Sequence, residues 1–142
     1  MKNVILSVIG AVGSFIAGAL GGWDTALITL VCFMLVDYAT GWILAVVFKK
    51  SHKTESGGYS SAIGLKGVFK KFMILLLIMV ANRLDQLIGG SYIRDGACIV
   101  FIGNEAMSIL ENAGLMGVPI PKVITDALDV LHEKTNQESE QQ

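Results

Sequence analysis

Residues 25–48 read TALITLVCFMLVDYATGWILAVVF, 24 residues with a single charged side chain, Asp37. At ~1.5 Å of rise per residue a helix of this length crosses a hydrocarbon core of ~30 Å with some tilt, and nothing in the stretch breaks a helix. Asp37, Gly41 and Ala45 recur at steps of four, so a carboxyl group and two small residues share one face. A face of that kind is expected to look at protein and not at lipid.

Toward the N-terminus, a second apolar run extends from Val4 to Leu20, with Lys2 before it. Gly10, Ser14, Gly18 and Gly22 follow at steps of four and predict a stripe through which another helix can approach closely. A secretory signal peptide is the rival reading, with Lys2 as its basic start and Ala17-Gly18-Ala19 as a small-x-small cleavage site.

Toward the C-terminus, residues 49–69 form a polar, basic loop. Lys49, Lys50, Lys53 and Lys66 lie within it, and Lys70 and Lys71 follow, against one acid, Glu55. An excess of lysine of this kind predicts the cytoplasmic side, with Lys49, Lys50, Lys66, Lys70 and Lys71 near lipid headgroups and a short interfacial helix over 62–71. A third span is predicted over about 70–89, where Asn82, Arg83, Asp85 and Gln86 fall in the outer third. A fourth covers about 96–116, with Glu105 near its middle and Ser108 and Asn112 on the same face.

After Gly117, the sequence Val118-Pro119-Ile120-Pro121 forbids a continuing regular helix. Val123, Ala127, Leu128 and Leu131 then recur at helical spacing, predicting a short amphipathic helix, and the Glu- and Gln-rich end from His132 to Gln142 reads as disordered. The expected fold is therefore an all-α integral membrane protein. It has about four transmembrane helices over 4–22, 25–48, 70–89 and 96–116, or three if the first run lies flat or is cleaved, plus a short C-terminal amphipathic helix. Residues 1–117 make the transmembrane domain and 118–142 a cytoplasmic tail, with both termini inside.

Composition agrees with lipid as the solvent: 53% of the 142 residues are hydrophobic, 16% are charged, and mean hydropathy is +0.61. A soluble chain this short has to show water far more polar surface. The net charge of −1 gives no sign of nucleic-acid binding. Cys32 and Cys98 lie inside apolar runs and read as two reduced, buried thiols. No metalloprotease, nucleophile-elbow, phosphate-loop or CxxC signature is present, and His52 and His132 have no sequence neighbour that makes either a catalytic or metal-binding group. No enzyme activity and no cofactor are expected.

The residues that carry information are the charged ones at membrane depth, where an isolated charge costs at least ~2.5–3.5 kcal/mol and is normally paired or hydrated. Asp37 and Glu105 are the two candidates, and Arg83 is expected to pair with Glu105 from the adjacent antiparallel span. Gly41, Ser108 and Asn112 complete a candidate pore or helix-interface set.

Three stretches resemble the toxin-secretion and phage-lysis holin family. They are Asp37-Tyr38-Ala39-Thr40-Gly41, then Ser60-Ser61 with Gly64, Gly67, Lys70 and Lys71, and above all Asn104-Glu105 through Ser108-Ile109 and Glu111-Asn112 to Gly117-Val118-Pro119-Ile120-Pro121. The resemblance covers roughly residues 25–131. It implies a homo-oligomer in the bacterial inner membrane that opens the lipid bilayer so that an endolysin, without necessary direct contact, or in some members a toxin, can leave the cell. A small proton-coupled transporter or channel of four helices is the alternative, since membrane carboxylates also serve proton relays.

Overall fold

The computed structural model describes residues 1–140. Among them the fold is entirely helical: α1 (Lys2–Ala19), α2 (Thr25–Ile43) with a π-helical extension (Leu44–Phe48), α3 (Ser61–Ile88), α4 (Tyr92–Leu115) and α5 (Lys122–Glu140). Two of these helices, Lys2–Ala19 and Thr25–Phe48, are long and apolar enough to cross a membrane by length and composition. α3 and α4 are longer than α1 but carry more charge, and much of that charge is turned inward: Asp85, Arg94 and Glu105 are all buried.

Each helix boundary has a local cause. Asp24 caps α2, its carboxylate accepting from the Leu27 N–H at 2.9 Å. Gly89, in the left-handed conformation, ends α3. α4 has no capping side chain of its own. Asp85, one turn from the end of α3, accepts instead from the N–H groups of Ile93 at 3.0 Å and Arg94 at 2.8 Å. This fixes the α3–α4 hairpin and puts a negative charge on the positive end of α4. At the other end of α4, Gly117 is again left-handed and Val118 N–H returns to the Ala113 carbonyl at 3.0 Å, after which the two prolines restart the chain as α5.

α2, α3 and α4 pack around a core of Leu27, Leu30, Met34, Ile74, Ile78, Cys98 and Ile102, which Leu20 joins from the end of α1. The opposite faces are apolar and bare: Leu35, Phe72, Leu77, Leu87 and Val100 are exposed, Leu87 by 83% while Ile78 is 0% exposed. A bundle that is hydrophobic all round needs an apolar surrounding, which is the arrangement of a protein in lipid. α1 is exposed along its length and is buried only at Ala19 and the following Leu20.

Three expectations from sequence change here. The segment over 62–71 is the beginning of α3 and not a separate interfacial helix, because no breaker interrupts Ser61–Ile88. Residues expected to be disordered continue α5 as far as Glu140, in keeping with the strong helix preference of Glu, Gln and Lys, and the last two residues lie outside the described region. Only Cys98 is a buried thiol. Cys32 is exposed because it lies off the α2 face that carries Leu27, Leu30 and Met34.

Candidate functional site

Three ionisable side chains meet between the helices near the end that carries residues 49–60. Lys71, from α3, donates to Asp37 Oδ2 on α2 at 2.7 Å and to Glu105 Oε2 on α4 in a very short contact. Asn112, one helical stretch further along α4, donates to Thr40 Oγ1 at 3.0 Å and to Asp37 Oδ1 at 3.4 Å, while the Thr40 hydroxyl donates to the Asp37 carbonyl at 3.0 Å. Asp37, Glu105 and Asn112 are all buried, and no buried side-chain nitrogen or oxygen among the described residues lacks a partner. Pairing of this quality is what makes three charges tolerable in a buried site.

The spacing predicts part of this set and misses its centre. Asp37, Glu105 and Asn112 come together, with Gly41 facing Asn112 (a Cβ there would sit 3.7 Å from Nδ2) and Ser108 lining the same cavity. Arg83 does not pair with Glu105. It lies on an exposed face of α3 and donates to Gln86 at 2.9 Å, roughly a quarter-turn from the buried Asn82. Lys71, expected at the headgroups, is the partner Glu105 has, because it falls on the α3 face shared by Ile74, Ile78 and Asp85. Lys49, Lys50, Lys66 and Lys70 are exposed. Of the small-residue stripe, Gly10 and Gly18 have open space beside them, Ser14 is exposed, and Gly22 belongs to the turn after α1 at φ +99°. His52 lies 3.5 Å from Glu111 in an exposed pair, and the His132 side chain lies outside the described residues.

A second polar cluster occupies the opposite end of the bundle, and its charged members Asp24, Arg94 and Asp95 are not among the candidates read from the sequence. Arg94 at the start of α4 is buried, and its guanidinium forks onto Asp24 at 2.6 and 3.1 Å while also reaching Asp95 at 3.0 Å. Its Nε donates to the Leu20 carbonyl at 2.5 Å and its other arm to the Gly22 carbonyl at 3.3 Å. Asn82 of α3 donates to the Ala19 carbonyl at 3.0 Å. The free carbonyls at the end of α1 are thus satisfied by α3 and α4, and Arg94 ties α1, α2 and α4 into one clasp. The signal in the sequence is the periodicity: Arg94, Cys98, Ile102 and Glu105 lie on one face of α4, as Asp24, Leu27, Leu30, Met34 and Asp37 do along α2.

The clasp leaves no space at Gly21. Its φ is +89°, and a Cβ would lie 2.5 Å from Arg94 Nε and 2.7 Å from Asn82 Oδ1. Gly21→Ala is expected to cost about 1–3 kcal/mol from backbone strain alone. A lowered thermal midpoint in detergent and faster proteolysis between α1 and α2 measure it. Gly18→Ala, with nothing beside it, serves as the neutral control.

The Arg94 guanidinium also holds the Asp24 carboxyl below its ordinary value of 3.8, helped by the Leu27 N–H. A carboxyl with a depressed folded pKa stabilises fully above its unfolded value and loses that contribution as pH falls through the folded one. The clasp is therefore expected to hold at neutral pH and to weaken below about pH 4. Asp24→Asn removes the dependence, measured as thermal midpoint against pH for the two proteins.

Residues 14–133 match the bacteriophage holin family. An uncharacterized protein of Clostridium perfringens is 37% identical over 96% of this chain and 98% of its own. One of Listeria innocua is 32% identical over 92% of this chain and 86% of its own. A probable holin of Bacillus phage phi105 is 34% identical over 75% of this chain and 73% of its own. No solved structure matches. With the match extending over all but the first helix's beginning and the last residues, this membrane protein belongs to the bacteriophage holin family.

Proposed function

We propose that the chain accumulates in the bacterial inner membrane as a homo-oligomer and opens it at lysis, letting an endolysin reach the cell wall or a toxin leave the cell. In this reading α1 to α4 all cross the bilayer, the basic loop and both termini face the cytoplasm, and the protein has no catalytic turnover. The observation that carries it, beyond the family, is the ion-paired layer of Asp37, Lys71 and Glu105 on three different helices. Charges that satisfy each other within one chain keep the closed form compatible with lipid. When helices rearrange between chains, the same side chains border water, and exchanging internal for intersubunit helix packing carries no hydrophobic penalty in lipid.

Liposomes loaded with both a small dye and a dextran of several kilodaltons test it. Release of both as the protein-to-lipid ratio rises is the expected result. Release of neither, with proton-dependent solute uptake instead, supports the transporter that cavity-lining carboxylates also suit. Orientation is read by labelling single cysteines in intact cells: positions near Asp24 and Ser91 are expected to react from outside, and positions near Gly58 are not.

A further inference from the structure

The three helices that form the ion-paired layer repeat the same order along their buried faces. On α2, Asp37 is followed by Met34, Leu30 and Leu27 and then by Asp24. On α3, Lys71 is followed by Ile74 and Ile78 and then by Asn82 and Asp85, and on α4 Glu105 is followed by Ile102 and Cys98 and then by Arg94. The steps are three or four residues, so each series lies on one helix face. At ~1.5 Å per residue the two polar layers stand roughly 16–21 Å apart, with only apolar side chains between them.

A cavity of about 610 Å³ lies on one side of this apolar layer. It is lined by loop residues within 51–60, by Gly41, Gly64 and Gly67, by Asp37, Lys71 and Glu105, and by Ile74, Leu77 and Phe101 next to the apolar layer. Tyr38, Trp42, Met73 and Leu77 of this lining are exposed, so the wall between α2 and α3 is also open to the side. One water needs only about 10–15 Å³, and water here finds polar partners in Asp37, Glu105, Asn104 and Ser108. Two carboxylates against one ammonium leave the floor with one negative charge. Lys53 and Lys70, which also line the cavity, are exposed and partly screened, though Lys53 still acts on Asp37 through space, less than Lys71 does.

We propose that each chain contains a water-filled half-channel that admits small cations from the face of the 49–60 loop as far as Asp37 and Glu105. An apolar plug of Leu30, Met34, Ile78, Cys98 and Ile102 closes it toward the other face. The half-channel rests on the membrane-spanning reading above but not on assembly of chains. A plug of this kind excludes ions because a narrow apolar passage does not wet.

Reconstituted vesicles of known orientation and charged methanethiosulfonate reagents test it, with Cys32→Ala removing the exposed native thiol. In the Cys32→Ala, Cys98→Ala background, a Ser108→Cys thiol is expected to react from the loop face only. The trimethylammonium reagent should outpace the sulfonate by on the order of tenfold. Native Cys98, 0% exposed behind the plug, is expected to react from neither face. Adding Ile78→Ser should wet the plug and make Cys98 react from the loop face. If Ser108→Cys disturbs insertion, Asn104→Cys takes its place.

The half-channel is overturned if the engineered thiol does not react with the aqueous reagents while a membrane-soluble maleimide reaches it, since a lipid chain then fills the groove. Labelling from both faces, or a sulfonate rate equal to the cationic one, overturns it as well. Culture turbidity after induction of the same proteins separates the two readings. Failed labelling with lysis retained removes the half-channel alone, and labelling as expected with no lysis by the wild-type chain removes the proposed lytic function alone.

Discussion

Lys71→Met is expected to destabilise the closed bundle by about 3–5 kcal/mol, the largest effect of any single substitution, because it strands two carboxylates in a buried site. Lys71 is the one cation in contact with Asp37 and Glu105 among the described residues, at 2.7 Å from the first and closer still to the second. The variant is expected to show a lowered thermal midpoint in detergent and, on induction in cells, a shifted onset of lysis. Glu105→Gln in the same chain should restore part of the loss, so that the double variant is less damaged than the two single effects added together. Additive effects would mean that the two side chains do not act as a pair. Arg83→Gln is the control: its side chain is exposed and bonded to Gln86, and wild-type behaviour is expected.

Arg94→Met is expected to have the second largest effect, again about 3–5 kcal/mol, through the opposite end of the molecule. The substitution leaves the carbonyls of Leu20 and Gly22 without their donor and Asp24 without its fork. Because those partners belong to the end of α1 and the start of α2, the damage should be local. Protease cleavage near Gly21 and Gly22 should accelerate while the α3–α4 hairpin, fixed by Asp85 through backbone N–H groups, stays intact. Arg94→Lys keeps the charge but not the planar fork, and is expected to recover only a fraction. Equal cleavage in wild type and Arg94→Met would show that the clasp does not hold α1.

The helices were legible in the sequence because their signals are local: an uninterrupted apolar run over 25–48, glycines at 89 and 117, prolines at 119 and 121. Asp37, Glu105 and Asn112 were legible as a set because a charge or amide in an apolar run stands out. Their common partner was not, since lysines beside a span ordinarily face headgroups and Lys71 sits in a row with Lys66 and Lys70 that do stay exposed. Only its place on the face of Ile74 and Ile78 distinguishes it, and that matters only once α2 and α4 are known to lie against that face. Arg94 was hidden for a similar reason. It falls beside a turn, at the start of α4, where charges are unremarkable, and its role depends on carbonyls more than seventy residues earlier in the chain. Three side chains that look like surface in one dimension, Asp24, Lys71 and Arg94, join helices distant in sequence, as Asn82 and Asn112 also do.

α1 meets the rest of the molecule at a single point, its last turn, while the Asp37 layer and the apolar core are built from α2, α3 and α4, with Leu20 alone added from beyond α1. A rod held at one end is a lever: loosening of the clasp at its last turn is expected to displace its far end without any side chain of the Asp37 layer moving. It is also the segment that evolution or an engineer can lengthen, exchange or load with a reporter at little cost to folding. What such changes would alter is the reach of one molecule toward its neighbours, leaving the stability of the molecule itself where it was.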